Sequence, residues 1–369
     1  MVTFRDEPGR AKTYNRIKLV IGVFSSLFAF LLLVILVVSR LSLQLEGTIA
    51  AIVGNSSAAF LIFVLTVAAA QGLLSLPVSF VSGYIIEHRY RLSNQSVGRW
   101  VREHAKATMI SLPLLIGVSL VLFVCLRTYG SFWWIPVGSV LTLLSLVFAR
   151  LGPVLVFPLF YRCTPLHDGP LKERILELCA AAGVHSDGIF SFDLSKNTKK
   201  ANAGLTGIGR TRRIIIGDTL LQDFPQDEIE TVLAHELGHH VHHHIWIGIA
   251  AGVVSTFTGL FITGQLYAWS LPFFGFTAVS QIAATPLLAI WLSLFGLVAA
   301  PAGNMLSRYH ERQADTFAVR ATGKRNAFVS ALRRLATMNL ADPAPHPVIE
   351  FLFYSHPSMP RRIRMLESL

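Results

Sequence analysis

The chain has 369 residues, of which 53% are hydrophobic and 14% are charged, and its mean hydropathy is +0.54. This composition is far more apolar than that of an ordinary soluble domain and indicates a protein of the lipid bilayer. A net charge of +11 could indicate nucleic-acid binding, but the basic residues collect beside apolar runs, where attraction to anionic lipid explains them better. Cys125, Cys163 and Cys179 show no paired spacing, which argues against a disulfide scaffold.

Six apolar runs are long enough to cross a hydrocarbon core about 30 Å thick, which requires roughly 20 helical residues each. They cover residues 19–39, 58–86, 108–126, 132–149, 245–267 and 282–306. Residues 151–160 are also apolar, but Pro153 and Pro158 interrupt them. This favours a re-entrant or interfacial piece and leaves a seventh span as the alternative.

The positions of the basic residues predict the orientation of these spans. One basic group precedes the first run: Arg5, Arg10, Lys12, Arg16 and Lys18. A second group follows the second run: Arg89, Arg91, Arg99, Arg102 and Lys106. Because basic loops stay in the cytoplasm, we expect the N-terminus, the polar stretch 161–244 and the tail after residue 306 on that side. The first run is too long for a signal peptide and is predicted to be an uncleaved anchor.

The polar stretch 161–244 is predicted to be a small α+β domain. Residues 170–183 have helical periodicity and end at Gly183. The β-forming residues at 189–194 and 213–217 flank a turn region at 202–209, which predicts a hairpin. A further helix is predicted to begin near Pro225, with acidic residues in its first turns.

That helix carries the sequence His-Glu-Leu-Gly-His at residues 235–239. On a helix, positions i and i+4 differ by only about 40° around the axis, so His235 and His239 can bind one tetrahedral zinc ion. Glu236 projects about 100° away, which suits a general base and not a ligand. A catalytic zinc site needs a third protein ligand and an open position.

Glu311 is the best candidate for the third ligand, within the segment Glu-Arg-Gln-Ala-Asp at residues 311–315. Asp315 falls one helical turn later, where it could accept a hydrogen bond from a ligand histidine and fix its tautomer. The further histidines after the motif, His240, His242, His243 and His244, offer alternative ligands, a second weak metal site or an interfacial polar band. The His235–His239 pair is preferred because it encloses a glutamate at the right offset.

Five segments carry a family resemblance. They are HELGHH (235–240), ERQADTFA (311–318), EHRYRLSNQS (87–96), NAGLTGIGRTRRIIIGDTLL (202–221) and SHPSMPRRI (355–363). Together they resemble the type I CAAX prenyl endopeptidases and their HtpX-type relatives. The resemblance implies that Glu311 is the third ligand and that substrate lies along the segment containing Asn202. It also implies that His356 and Arg362 stabilise the oxyanion and orient the substrate.

The sequence therefore predicts a predominantly α-helical integral membrane protein with about six transmembrane helices and a small cytoplasmic α+β, zincin-like catalytic domain. We divide it into a membrane region with four spans (1–160), a catalytic insert (161–244), spans five and six (245–306) and a C-terminal catalytic segment (307–369).

The predicted function is that of a metalloendopeptidase with one Zn2+ ion, in contact with the lipid bilayer and without a nucleic-acid partner. Its predicted substrates are prenylated CAAX tails or membrane-associated proteins. The alternatives are an HtpX-like quality-control protease, a metal transporter or sensor, and a catalytically silent scaffold. Transport is disfavoured because the six runs hold almost no ionisable residues.

Overall fold

The computed structural model describes residues 7–184, 186–207, 209 and 212–369, so that Arg5 of the first basic group lies outside it. Most of the described chain is helical, and we number the helices α1 to α13. They are α1 (Glu7–Val38), α2 (Leu41–Ala50), α3 (Ser56–Arg89), α4 (Val97–Tyr129), α5 (Trp134–Phe160), α6 (Pro170–Ala181), α7 (Asp218–Asp223), α8 (Gln226–Val241), α9 (His244–Ser270), α10 (Thr285–Thr322), α11 (Arg325–Met338), α12 (Pro347–Phe353) and α13 (Met359–Glu367).

Among the described residues, six helices are long and apolar enough to cross a membrane. They are Gly9–Val38, Ser56–Arg89, Val97–Phe132, Trp134–Phe160, His244–Phe274 and Ile282–Thr322. Each contains most of one predicted run and continues beyond it at one end or both. The prediction of a helical membrane protein with about six spans is thus confirmed.

Helix α1 shows how these helices present apolar side chains outward. Val20, Phe24, Leu27, Leu31 and Ile35 follow one another at helical spacing, and all are exposed. In a soluble domain such a stripe would be buried against a neighbour. Here the exposed stripe is the surface that hydrocarbon chains cover, while the helical backbone satisfies its own hydrogen bonds.

The prediction of a separate re-entrant or interfacial piece at residues 151–160 is wrong. Helix α5 continues through this segment as a π turn at Gly152–Val156 followed by an α-helical turn at Phe157–Phe160. Pro153 and Pro158 each lie within the first two positions of a turn, where a missing N–H breaks no hydrogen bond of that turn. The described residues also contain no seventh candidate span.

A four-stranded sheet forms the centre of the polar insert. Its strands are β1 (Cys163–Pro165), β2 (Ile189–Phe192), β3 (Ala203–Thr206) and β4 (Arg213–Gly217), in the order β1-β2-β4-β3. Strands β2 and β4 are parallel, whereas β3 and β4 form an antiparallel pair.

The predicted hairpin between residues 189–194 and 213–217 is therefore wrong. The hairpin partner of β4 is β3, which lies inside the predicted turn region. Its Ala-Gly-Leu-Thr sequence has little β propensity of its own, so pairing with β4 decides its structure.

Helix α8 is buried along most of its length between this sheet and α10. Ile229, Leu233 and Leu237 pack in one cluster with Ile214 and Ile216 of β4. At its N-terminus Glu228 accepts hydrogen bonds from Ser330 and Arg334 of α11. Apolar packing on one side and these polar contacts near its first turn hold α8 in place.

Candidate active site

Helix α8 brings its two motif histidines to one face. The Nε2 atoms of His235 and His239 lie 3.3 Å apart. His235 is 7% exposed, whereas the side chain of His239 is partly exposed. The four-residue spacing on a regular helix produces this arrangement.

Helix α10 supplies a carboxylate to the same point. Glu311 Oε1 lies 3.2 Å from His239 Nε2, and Glu311 Oε2 lies 3.5 Å from His235 Nε2. In a tetrahedral zinc site with bonds of about 2.0–2.1 Å, neighbouring ligand atoms are separated by about 3.3 Å. The three side chains are thus spaced to bind a single metal ion.

The hydrogen bonding of Glu311 supports the same conclusion. Glu311 is 3% exposed, and its Oε2 atom accepts no hydrogen bond from any described residue. A buried carboxylate oxygen without a hydrogen bond is costly, and a metal ion bound to it would offset this cost. The residues present therefore fit a metal ion between Glu311 and the two histidines.

Gly238 allows α8 and α10 to approach closely enough for Glu311 to lie beside the two histidines. A Cβ atom at Gly238 would lie 2.9 Å from the Cα atom of Ala314 and 3.2 Å from its carbonyl oxygen. Real side chains do not tolerate the first of these distances. The glycine within the motif therefore allows the close helix crossing that places Glu311 beside the histidines.

Asp315 and Arg362 form a second layer behind His235. Asp315 Oδ1 lies 2.8 Å from His235 Nδ1. The Arg362 guanidinium donates from Nε to Asp315 Oδ2 at 2.9 Å and from Nη2 to Asp315 Oδ1 at 2.6 Å. Its Nη1 atom also lies 3.6 Å from Glu311 Oε2. Both residues are buried, so this ion pair fixes the orientation of the His235 ring.

The same contacts shift the pKa of two groups. Burial lowers the pKa of His235, but the neighbouring Asp315 and Glu311 carboxylates outweigh burial and raise the pKa to about 9. Burial also lowers the pKa of Arg362, and the neighbouring Asp315 carboxylate more than compensates, so the pKa is raised. Arg362 is therefore a permanent positive charge at this site.

His239 has a different second layer, which the sequence analysis did not identify. Its Nδ1 atom lies 3.0 Å from Nδ1 of His244, and Nε2 of His244 lies 2.9 Å from Oε1 of Gln313. The His244 ring also stacks on His310 with ring centroids 4.0 Å apart. His243 has a left-handed backbone with φ 57°, so the chain turns there and His244 begins the next helix beside His239. The run of histidines was the signal available in the sequence. It does not show where the chain turns, so the contact between His244 and His239 could not be predicted from it.

Glu236 borders a cavity of about 320 Å³, which we name the active-site cavity. Its wall also includes Leu205, His239, His244 and His310. Strand β3 passes beside the carboxylate, since a Cβ atom at Gly204 would lie 4.0 Å from Glu236 Oε2. Strand β3 is an edge strand of the sheet, with β4 as its one neighbour among the described strands. The cavity therefore combines a carboxylate, the candidate metal ligand His239 and an unpaired strand edge.

The two remaining predicted site residues lie in different settings. His356 Nδ1 lies 3.0 Å from Glu311 Oε1, while its side chain is 63% exposed. Asn202 is exposed immediately before β3, and its carbonyl oxygen accepts a hydrogen bond from the Gly217 N–H at 2.8 Å. The structure thus brings His356 to the metal ligands, whereas the Asn202 side chain makes no hydrogen bond within the described part of the chain.

Two family models together match nearly the whole chain. The model described as Peptidase family M48 matches residues 165–369. The model described as CAAX prenyl protease N-terminal, five membrane helices, matches residues 5–162. The first model covers both segments that meet at the candidate metal site.

Individual proteins are similar over most of the chain. An uncharacterized metalloprotease, YhfN of Bacillus subtilis, is 28% identical over 364 residues, which covers 97% of this chain and 84% of that protein. A CAAX prenyl protease 1 homolog of Arabidopsis thaliana is 30% identical over 311 residues, which covers 80% of this chain and 70% of that protein. Among solved structures, the crystal structure of S. mikatae Ste24p matches with a TM-score of 0.84 at 24% identity, covering 98% of this chain and 88% of that one. The likeness to Ste24p shows a shared fold.

Proposed function

This chain belongs to peptidase family M48, and on that basis we propose that it hydrolyses peptide bonds with one zinc ion held by His235, His239 and Glu311. Family membership identifies it as a membrane metalloprotease and leaves the transporter and silent-scaffold alternatives without support. The observation that carries the proposal is the spacing of the three ligand atoms, which all lie within 4.8 Å of one another. A zinc ion bound there would supply a Lewis acid.

In this proposal Glu236 is the general base. Its carboxylate lines the active-site cavity beside His239 without joining the ligand set. From there it can take a proton from the attacking water and deliver it to the leaving amine. His356, an exposed donor beside Glu311, is suited to stabilise the oxyanion. Arg362 acts indirectly, by holding Asp315 and neutralising charge beside Glu311.

The substrate is proposed to bind as an extended strand along the free edge of β3. Backbone hydrogen bonds at a sheet edge hold a peptide without requiring a particular sequence. Gly204 leaves room between this edge and Glu236, and Asn202 lies at the beginning of the same strand. The scissile bond of a peptide in this position would lie across the active-site cavity.

Prenylated CAAX tails are the proposed substrate class. The active-site cavity is also lined by Ile245 and Ser307, which belong to the candidate spans His244–Phe274 and Ile282–Thr322. A lipid tail could therefore remain beside apolar helices while its peptide reaches Glu236. The similarity to proteins named CAAX prenyl protease 1 supports this choice, and we place the site on the cytoplasmic side.

The test compares a farnesylated CAAX peptide with unmodified casein, using the purified full chain. We expect cleavage of the lipidated peptide to stop with a chelator and to return with Zn2+. Glu236→Gln should keep zinc and lose roughly 10²–10⁴-fold in rate. The matched control Glu173→Gln changes an exposed carboxylate on α6 and should cleave normally.

Two results would contradict parts of the proposal. Robust cleavage by Glu236→Gln would rule out this residue as the base. Chelator-sensitive cleavage of casein without cleavage of the prenylated peptide would keep the metalloprotease and replace the substrate class with that of an HtpX-like quality-control enzyme.

A further inference from the structure

A second cavity, of about 520 Å³, lies where the beginning of α1, the segment after α3 and the polar insert meet the end of α11. We name it the basic cavity, and its wall includes Arg10, Arg91, Lys199, Asp223 and Leu340. Its volume is within the range of small-ligand sites, roughly 300–1,000 Å³. None of the proposed active-site residues contributes to its wall.

The charges around the basic cavity are unbalanced. Three cationic side chains line it, from Arg10, Arg91 and Lys199, against the single carboxylate of Asp223. Within the described part of the chain, the side chains of Arg91 and Lys199 make no hydrogen bond and no ion pair. By contrast, the nearby Lys18 and Lys200 both pair with Glu87. The wall of the basic cavity therefore carries an excess of positive charge, because one carboxylate cannot balance three cations, and its two unpaired cations are exposed to solvent.

The backbone of Arg91 adds an independent observation. Arg91 has a φ of 58°, and its N–H donates to the His88 carbonyl while the Leu92 N–H donates to the Glu87 carbonyl. This closure of a helix normally uses glycine, because a side chain is strained in the left-handed conformation. An arginine at this position lowers the stability of the fold, and strained backbone positions of this kind concentrate at functional sites.

The basic cavity lies at the polar ends of two membrane helices. The first candidate span begins at Gly9, next to Arg10, and the second ends at Arg89, two residues before Arg91. The polar ends of membrane helices generally reach the headgroup region of the bilayer, and basic pockets beside such helices bind anionic headgroups. The planar guanidinium of arginine also matches the oxygens of a phosphate group.

From these observations we propose that the basic cavity binds a phosphate group, supplied by an anionic phospholipid headgroup or by a free phosphate ion. Arg91 and Lys199 contact its oxygens directly. Arg10 adds to the positive field while its guanidinium stays bonded to the Tyr90 carbonyl. The site is separate from peptide hydrolysis, so it does not depend on the proposed substrate.

The first experiment measures binding of phosphatidylglycerol to the purified full chain by native mass spectrometry, with phosphatidylcholine as the neutral lipid. The double variant Arg91→Gln/Lys199→Gln should bind phosphatidylglycerol roughly 30-fold more weakly. The matched control, Arg320→Gln/Arg364→Gln, removes two exposed arginines that lie elsewhere and should bind like the unchanged protein. If both double variants lost phosphatidylglycerol binding equally, the loss would come from the change in net charge alone, and the proposal would be overturned.

A second variant separates binding from folding. Arg91→Gly removes the cation but relieves the left-handed strain, so we expect weaker phosphatidylglycerol binding together with a higher unfolding temperature. Normal binding by this variant would overturn the proposal.

Competition with inorganic phosphate identifies the source of the group. If millimolar phosphate displaces the bound lipid, the site accepts either source. If the lipid stays bound in the presence of phosphate, the site is specific for the lipid headgroup. Binding of phosphate without binding of phosphatidylglycerol assigns it to the free ion, and binding of neither overturns the proposal.

Discussion

Each motif histidine has a partner at the ring nitrogen that points away from the metal site. His235 Nδ1 contacts the buried carboxylate of Asp315, whereas His239 Nδ1 contacts the ring of His244. A charged acceptor raises the basicity of a ligand histidine more than a neutral ring does. The two histidines are therefore held by contacts of different strength, and their second layers can be tested separately.

Asp315→Asn should weaken metal binding roughly 10–100-fold, because an amide is a poorer acceptor for the His235 N–H and leaves Arg362 without its carboxylate. Chelator competition on the purified protein measures this affinity. Asp187→Asn breaks a surface ion pair with Arg213 and is the control. Unchanged metal affinity in Asp315→Asn would show that Asp315 does not position the ligand.

His244→Ala should weaken metal binding by about tenfold, since the His239 ring loses the partner that sets its orientation. The control His240→Ala changes a histidine of the same run that makes no hydrogen bond within the described part of the chain. If both variants bound metal equally well, the contact between His239 and His244 would have no role in the site.

Metal uptake should depend on pH because of His235. Its raised pKa of about 9 means that the metal-free protein holds a proton there at neutral pH, and a metal ion must displace it. The affinity should therefore fall roughly tenfold for each pH unit below about 9. Calorimetry in buffers of different protonation enthalpy should detect about one released proton, and no release would contradict this assignment.

At the scale of elements, the site depends on how closely α8 and α10 cross. The four-residue spacings 235–239 and 311–315 predict shared helix faces, and both segments are helical in the structure. Spacing alone does not predict that the two faces meet at Gly238. The edge strand β3 was also unpredictable from its small residues, because its conformation depends on pairing with β4.

Gly238→Ala should lower activity by roughly 100-fold, because the new Cβ would lie 2.9 Å from the Ala314 backbone and must push Glu311 away from the histidines. Metal content and the rate of peptide cleavage measure the effect together. Gly248→Ala on α9 is the control, since nothing lies within 4 Å of its Cβ position. Full activity in Gly238→Ala would show that α8 and α10 can accommodate the added Cβ atom without moving Glu311 away from the histidines.

At the scale of the whole molecule, hydropathy alone predicted the membrane helices, because burial in lipid needs only length and apolar composition. The matching N-terminal family model is described with five membrane helices, whereas residues 5–162 contain four candidate spans and the short helix α2. With 10 residues, α2 is too short to cross the hydrocarbon core. The division into four regions and the cytoplasmic orientation stay predictions.

Cysteine labelling tests the orientation. In a background without Cys125, Cys163 and Cys179, the variants Ser368→Cys and Ala278→Cys place one thiol in the tail and one in the loop between spans five and six. A membrane-impermeant maleimide added to intact cells should label only Ala278→Cys, because the tail is predicted to be cytoplasmic. Labelling of Ser368→Cys alone would reverse the topology.

The order of the ligands along the chain has a consequence for biosynthesis. His235 and His239 emerge from the ribosome before α9, whereas Glu311 follows most of α10, so two membrane helices separate the halves of the site. A nascent polypeptide therefore lacks the proposed third ligand until most of α10 has been synthesised. If these three residues hold the metal as proposed, the newly made chain cannot cleave peptide bonds during its own translation and becomes active only after both helices have packed together in the bilayer.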